Sequence, residues 1–546
     1  MTQPIDRRSF LAGGLAVGVG AAMVGALGGG AGAAQTNGPG RNGVSTAKPV
    51  RGGSVTFGTD AETSGFDPTT ARWAENGYLY GRTVFDPIAV VNASGTVEPY
   101  LAQSITPNAD STVFTITLRP GIVFHDGTPL DANALHLNIE KQIASALGGP
   151  AYAGHIAAVS VTGPLAVTIT MNTSWAPFPY YLAQAQFGYV AAPSMLNNPN
   201  GTSHPIGTGP FVFSEWIPNS HMTATANPHY WRKGYPYLRS ITYKPIIDAN
   251  ARVDALETGE VDIIHTNSPS SLLQFRDDNK WSHYDNSGQV LGQPTVQSIM
   301  LNTAAEPFNN HTLRVAMAKC INRAQYAKAI DKGIDGPMNG LFLPGSPYYT
   351  TTAYPAYDPA GAAKLVQQVQ QQTGKPVSFT LNSTSNSDVF RAAQFLQQAF
   401  QQAGMQVSIN IVAQATIISD ALAGSYQATY WRQFGAVDPD LNYVWWSTQT
   451  TAPPLALNMA RNSDPRIQAA LLAGRTTSDK AARVKAYQQI NQYLAEDIPY
   501  LWLVRDTWAV IANPKVQNFA NPTTLQGSKA VAFDEGVLWP NQIWVS

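Results

Sequence analysis

The chain has 546 residues, which allows about three folding units at roughly 100–200 residues each. Hydrophobic residues make up 44%, enough for a packed core and too many for global disorder. Lys plus Arg (34) balances Asp plus Glu (35), so there is no basic footprint for nucleic acid, and a single cysteine excludes a disulfide framework.

Residues 1–34 read as an export signal. Asp6-Arg7-Arg8-Ser9-Phe10-Leu11 leads into an uncharged Ala/Gly/Val run that ends in small residues at Ala31-Gly32-Ala33. The arginine pair ahead of Phe10 and Leu11 resembles the twin-arginine type. The run is long enough to span a membrane, but its glycine content makes it a poor anchor. Cys320 is far from the cleavage region, so lipid attachment there is not expected. The mature chain is expected to start near Ala34 or Gln35 and to work outside the cytoplasm. Residues 35–50 form a Gly/Pro/Asn-rich linker.

Further along, Phe114, Ile116 and Leu118 alternate with threonines, which predicts a half-buried strand. Asp358-Pro359 carries the cap and first-turn proline of a helix. Residues 376–412 read as a β-α-β unit. Val377, Phe379 and Leu381 alternate, Val389, Ala392, Leu396 and Phe400 recur at helical spacing, Gly404 stops the helix, and Val407, Ile409 and Ile411 alternate again. Such a unit implies a locally parallel sheet with a right-handed crossover. Ser478 is placed to cap a helix running to about Ala495. The class is α/β or α+β.

The catalytic patterns are missing. The nine histidines form no His-Glu-x-x-His, and there is neither a Gly-x-Ser-x-Gly elbow nor a Gly-x-x-x-x-Gly-Lys-Ser/Thr loop. Carboxylate pairs such as Asp277-Asp278 suit a solvated face. No enzyme activity, metal or cofactor is expected. What stands out is an aromatic segment: Trp431-Arg432-Gln433-Phe434-Gly435, then Asp438-Pro439-Asp440, then Tyr443, Trp445 and Trp446. Aromatics with few charges suit a cleft that encloses an amphipathic small molecule, and Arg432 offers a planar fork for a carboxylate. The same aromatics also suit an ordinary core.

Several ordered blocks resemble one family. They are Gly52-Gly53-Ser54-Val55-Thr56 with Gly65-Phe66-Asp67-Pro68; Leu118-Arg119-Pro120-Gly121 through Asp126-Gly127-Thr128-Pro129-Leu130; and Ile206-Gly207-Thr208-Gly209-Pro210-Phe211. Asn227-Pro228-His229-Tyr230-Trp231, Glu257-Thr258-Gly259-Glu260, Arg314-Val315-Ala316 and the stretch from Tyr487 to Pro499 follow in order. The set resembles the family 5 extracytoplasmic solute-binding proteins of ABC importers, the dipeptide, oligopeptide and nickel-chelate group. The motif glycines and prolines read as scaffold for turns.

The resemblance implies a two-lobed periplasmic-binding-protein-like α/β fold with hinge-linked lobes and an inserted subdomain. Lobe I would hold residues 51–90, 205–295 and 512–546, with an insertion at 91–204, and lobe II residues 296–511. It also implies capture of a small peptide or peptide-like solute between the lobes and delivery to permease subunits in the membrane, by a chain acting as a monomer. A sensor or chaperone role for the same scaffold stays open. Oligopeptide binders of this family pair an acid near the position of Gly435 with the peptide α-ammonium, and here neither Phe434 nor Gly435 is acidic. That departure points to a blocked or cyclic peptide, an organic acid, a metal chelate or a glycoside. The candidate ligand contacts are Glu62, Ser64, Trp431, Arg432, Phe434, Gly435, Asp438, Trp445 and Trp446.

Overall fold

The computed structural model describes residues 43–546 except 46, 147, 288, 290–294, 434, 451–455 and 532–536. The export signal, most of the linker and Phe434 lie outside the described residues. Three larger sheets organise the rest. A seven-stranded mixed sheet runs in the order Ser282–Asp285, Ala509–Ala512, Ile263–Thr266, Ser54–Thr59, Ser240–Pro245, His221–Ala226, Phe211–Ile217. Its central strand Ser54–Thr59 pairs in parallel with both neighbours, and Val55 and Phe57 are buried on its core side.

Between the first strand of that sheet and Phe211–Ile217 the chain builds a four-stranded antiparallel sheet of Ala102–Pro107, Val113–Leu118, Ala166–Met171 and Ile156–Gly163. Here the expected alternation at Phe114, Ile116 and Leu118 is present. All three are fully buried, and Thr115 and Thr117 are half-buried. Gly121 and Gly127 hold left-handed turns (φ 78° and 82°). Gly207 and Gly209 serve differently from the turn role expected of them: neither has a positive φ, but a side chain at either would run into the Val84 carbonyl.

The five-stranded sheet has the order Gln406–Ile411, Ser378–Ser383, Ala428–Gln433, Val296–Leu301, Tyr500–Arg505. The β-α-β unit is present as Ser378–Ser383, helix Ser387–Gln402 and Gln406–Ile411, with the two strands parallel. Asn386 caps the helix, and Ala392, Ala393, Leu396 and Phe400 bury its apolar face. Asp358 caps helix Pro359–Thr373 by accepting from Gly361 N at 2.8 Å. The cap expected at Ser478 is instead Asp479, which accepts from Ala482 N at 2.7 Å and opens helix Lys480–Asp497. An aspartate caps as well as a serine and adds a charge that suits the helix N-terminus.

The chain passes from the seven-stranded to the five-stranded sheet between Asp285 and Val296, and returns between Arg505 and Ala509, ahead of the boundary expected at 512. These crossings make two lobes with paired connections, the arrangement of a hinge. One apolar cluster includes Val55, Ile116 and Ile299, one residue from each sheet. The lobes are therefore packed together in this structure.

Candidate ligand-binding site

The strand Ala428–Gln433 organises the junction. Antiparallel pairing with Val296–Leu301 sets Gln297 opposite Arg432, Ser298 opposite Trp431 and Ile299 opposite Tyr430. Side chains on a strand alternate between faces, so Arg432 and Trp431 point to opposite sides.

On the first face Arg432 bridges the lobes. Its guanidinium lies 3.1 Å from Asp506 Oδ2 and 3.5 Å from Glu75 Oε1, and it stacks 5.0 Å from the Trp508 ring centre. Glu75 is in the first turn of helix Glu75–Val84 in the first lobe. Asp506, in the returning connection, also accepts from Gln297 Nε2 (2.8 Å), Trp508 Nε1 (3.0 Å) and Asn267 Nδ2 (3.1 Å). Asp60 completes this acidic surround. Burial pushes its carboxyl up, but His265 at 3.0 Å, Arg252 and Arg432 outweigh that and hold it far below the usual range. Further contacts between the lobes are Arg72 Nη1 to Ser419 Oγ (3.2 Å) and Ser268 Oγ to Asp388 Oδ2 (2.8 Å).

On the second face, Trp431 and Gln433 line a narrow pocket with Met300, Trp445, Leu457, Met459 and Tyr500. Trp446, next to Trp445 on the short helix Tyr443–Trp446, is buried. The pocket is built of aromatic and thioether walls and is too narrow to admit a water molecule.

Beyond the strand, the chain turns back toward the inserted subdomain. Val437 N donates to Gln184 Oε1 at 3.2 Å. Asp438 is buried against Arg483, at 2.6 Å to each carboxylate oxygen. Burial pushes its carboxyl up to about 6, with Arg483 opposing. Asp440 is fully buried against Arg475 (3.0 Å) and accepts from Trp175 Nε1 at 2.8 Å. The Arg475 guanidinium lies between the rings of Trp175 and Tyr443, 4.2 and 3.5 Å from their centres. Both acids of the Asp-Pro-Asp stretch are thus committed to buried arginines of helices Pro465–Arg475 and Lys480–Asp497.

Trp431, Trp445 and Arg432 therefore gather around one strand, while Asp438 sits in an ion pair beyond it. Gly435 is half-buried between them. Glu62 and Ser64 belong to the loop ahead of helix Glu75–Val84. Glu62 accepts from Asn219 N (2.8 Å) and Thr63 N (2.8 Å), and Ser64 is exposed and accepts from Arg72 N at 2.9 Å. Sequence reasoning missed Glu75, Asp506 and Gln184. All three meet the Arg432–Val437 region through the tertiary fold, and no local spacing announces them. Among the described residues, no group of three or more His, Cys, Asp or Glu could hold a metal ion.

Two α/β lobes joined by a double crossing, meeting through Arg72, Glu75 and Arg432, define a hinged binding protein. Residues 96–453 match the family described as Bacterial extracellular solute-binding proteins, family 5 Middle, and the chain belongs to that family. It is 26% identical over 449 residues to the glutathione-binding protein GsiB of Pectobacterium atrosepticum, covering 78% of this chain and 84% of the relative. It is 26% identical over 454 residues to the nickel-binding periplasmic protein of Escherichia coli, covering 80% and 86%. Its fold matches the periplasmic binding protein DppA of Helicobacter pylori, solved with the peptide STSA (TM-score 0.80, 22% identity, 91% of this chain and 98% of that one). It also matches AgaA of A. tumefaciens, solved with agropinic acid (TM-score 0.79, 22% identity, 90% and 99%).

Proposed function

We propose that this chain is the extracytoplasmic solute-binding component of an ABC importer, which closes its lobes on a small peptide-like solute and presents the closed form to a membrane permease. Export by the Arg7-Arg8 signal, action as a monomer, and movement of 51–90, 205–295 and 512–546 with their insertion against 296–511 belong to the same reading. The solute lacks a free α-ammonium: it is a blocked or cyclic peptide or a close analogue.

The single observation that carries the solute class is the commitment of Asp438 to Arg483 and of Asp440 to Arg475. A buried ammonium without a carboxylate partner is costly, and these two acids are already neutralised by cations. The names of relatives support the wider class, since they include binders of glutathione and of peptide. Release from uptake comes with hinge opening, which separates Glu75 from Arg432 and Ser419 from Arg72.

Thermal unfolding with matched libraries of N-acetylated and free dipeptides tests the reading. A ligand at 100 times its dissociation constant adds about 2.7 kcal/mol, a shift of several degrees. Acetylated or cyclic members should raise the melting temperature and free dipeptides should not. An equal or larger rise with free dipeptides contradicts the proposed solute class.

A further inference from the structure

The insertion meets the second lobe at a contact unlike the part-exposed polar bonds made by Arg72 and Arg432. Trp175, Ala176 and Tyr181 come from the insertion, and Asp440, Tyr443 and Arg475 from the second lobe. Trp175 Nε1 and Tyr181 OH donate to the Asp440 carboxylate and carbonyl respectively. Ala176 N donates to the Arg475 carbonyl at 3.0 Å, and Arg475 Nη2 donates to Tyr181 OH at 3.1 Å. The Arg475 guanidinium is held between one ring from each partner, Trp175 and Tyr443. Trp175, Asp440, Tyr443 and Arg475 are each 1% exposed or less. Parting these surfaces takes the acceptors from Trp175 and Tyr181 and bares the rings, so the contact favours closure.

His155, also in the insertion, packs edge-on against both rings of that cage. Its ring centre lies 5.4 Å from that of Trp175 and 5.4 Å from that of Tyr443. The groups that face it are Arg475 at the end of helix Pro465–Arg475, Asp440 in the turn Pro439–Asn442, Tyr443 on the short helix that follows, and Tyr152 on the short helix Gly149–Tyr152. The Asp440 carboxylate is already taken by Arg475, Trp175 and Tyr487 OH (3.3 Å). A proton on His155 therefore sets a second cation beside a caged guanidinium, and the one acid facing it is engaged. Burial and a like charge both disfavour that state.

We propose that this contact is an acid-released clasp, which holds the insertion against the second lobe near neutral pH and lets go when His155 is protonated. This rests on the reading that the insertion moves with the first lobe. An exposed histidine titrates near 6.5. Burial, and then Arg475, push His155 down to about 4 in the clasp, with Asp440 opposing. The closed form thus prefers the neutral ring. Its support for closure is full above about 6.5 and is lost as pH falls toward about 4.

The test reads lobe separation in the full chain without solute, by fluorescence energy transfer between dyes insensitive to pH. The dyes sit at exposed positions: Ser160→Cys in the insertion, Asn279→Cys in the first lobe and Gln371→Cys in the second. Native Cys320 is buried, and burial pushes its thiol up to about 12, so it does not compete for dye. Transfer is followed from about pH 7.5 to about pH 5 for the pairs Ser160/Gln371 and Asn279/Gln371. Both pairs should separate below about pH 6.5, the open-to-closed ratio rising by up to about tenfold per pH unit, the slope of one proton. His155→Gln and His155→Phe remove the titrating ring, and both should abolish that slope. The phenylalanine variant keeps a ring against Trp175 and Tyr443, which guards against a packing failure in the glutamine one. No acid response in the parent, or the same response in both variants, overturns the proposal. So does a separation of Asn279 from Gln371 with Ser160 and Gln371 fixed, because the insertion then travels with the second lobe. The solute-class reading fails separately, by binding of free dipeptides.

Discussion

The two faces of the strand Ala428–Gln433 differ in how their polar groups are satisfied. On the Arg432 face, Gln297, Tyr430 and Arg432 all end in side-chain bonds: Tyr430 OH and Tyr326 OH reach Gln297 Oε1 at 2.8 and 3.3 Å, and Arg432 reaches Asp506 and Glu75. On the Trp431 face, Ser298 Oγ and Gln433 Nε2 are buried with no hydrogen-bond partner among the described residues. Only the period of two along a strand separates them. The comparison teaches that one strand can carry the fastening between lobes on one side and the packed interior of its own lobe on the other.

The largest test of that contrast is Asp506→Ala. It strips the acceptor from Arg432, Gln297, Trp508 and Asn267 at once, and breaking a buried pair by removing one partner costs about 3–5 kcal/mol. Denaturant unfolding should show a loss of that size; a loss below about 1 kcal/mol would place the two faces on equal footing.

Next is pH. Burial, with the neighbouring Asp335 and Asp506, pushes the Asp331 carboxyl up to about 8, and burial also pushes Asp335 up to about 6. Both folded-state values lie above the unfolded value near 3.9. The folded state therefore holds protons that the unfolded state has released, so this contribution is full at low pH and is lost as pH rises toward about 8. The melting temperature should fall as pH rises from about 4 to about 8, between the unfolded and folded values of those two groups. Asp331→Asn keeps the acceptor for Asp335 N (2.6 Å), should flatten the profile, and should stabilise the protein at the alkaline end by about 1 kcal/mol or more. An unchanged slope removes Asp331 as its source.

Trp431→Ala should weaken solute binding by more than about 1 kcal/mol, as loss of a buried aromatic anchor does. Unchanged affinity, read by calorimetry, would assign Trp431 to the core alone. The smallest effect is expected for Ser298→Ala. Its hydroxyl has no partner among the described residues, so stability should stay within about 0.5 kcal/mol. A large loss would show that the hydroxyl is already serving the fold.

The local part of this fold was legible in the sequence. The β-α-β unit of 376–412 and the Asp358 cap depend on neighbours a few residues apart, where periodicity and capping chemistry decide the outcome. The cap at Asp479 shows the limit of that reading, because Ser478 and Asp479 are adjacent and both cap well. Arg432 stood out in the sequence, but its partners in the fold did not. Asp506 lies 74 residues away, and Glu75 comes from the other lobe. The family blocks gave the two-lobed class. The commitment of the two acids flanking Pro439 to buried ion pairs could be read only once Arg475 and Arg483 were placed beside them.

Capture between the lobes of a solute without a free amine is the property on which the proposed function depends. Native mass spectrometry of the protein purified from its own host, followed by release of the bound small molecule and treatment with an amine-reactive reagent, tests it most directly. The predicted result is a discrete added mass in the small-peptide range whose α-position does not react. A released solute with a reactive α-amine would contradict the account.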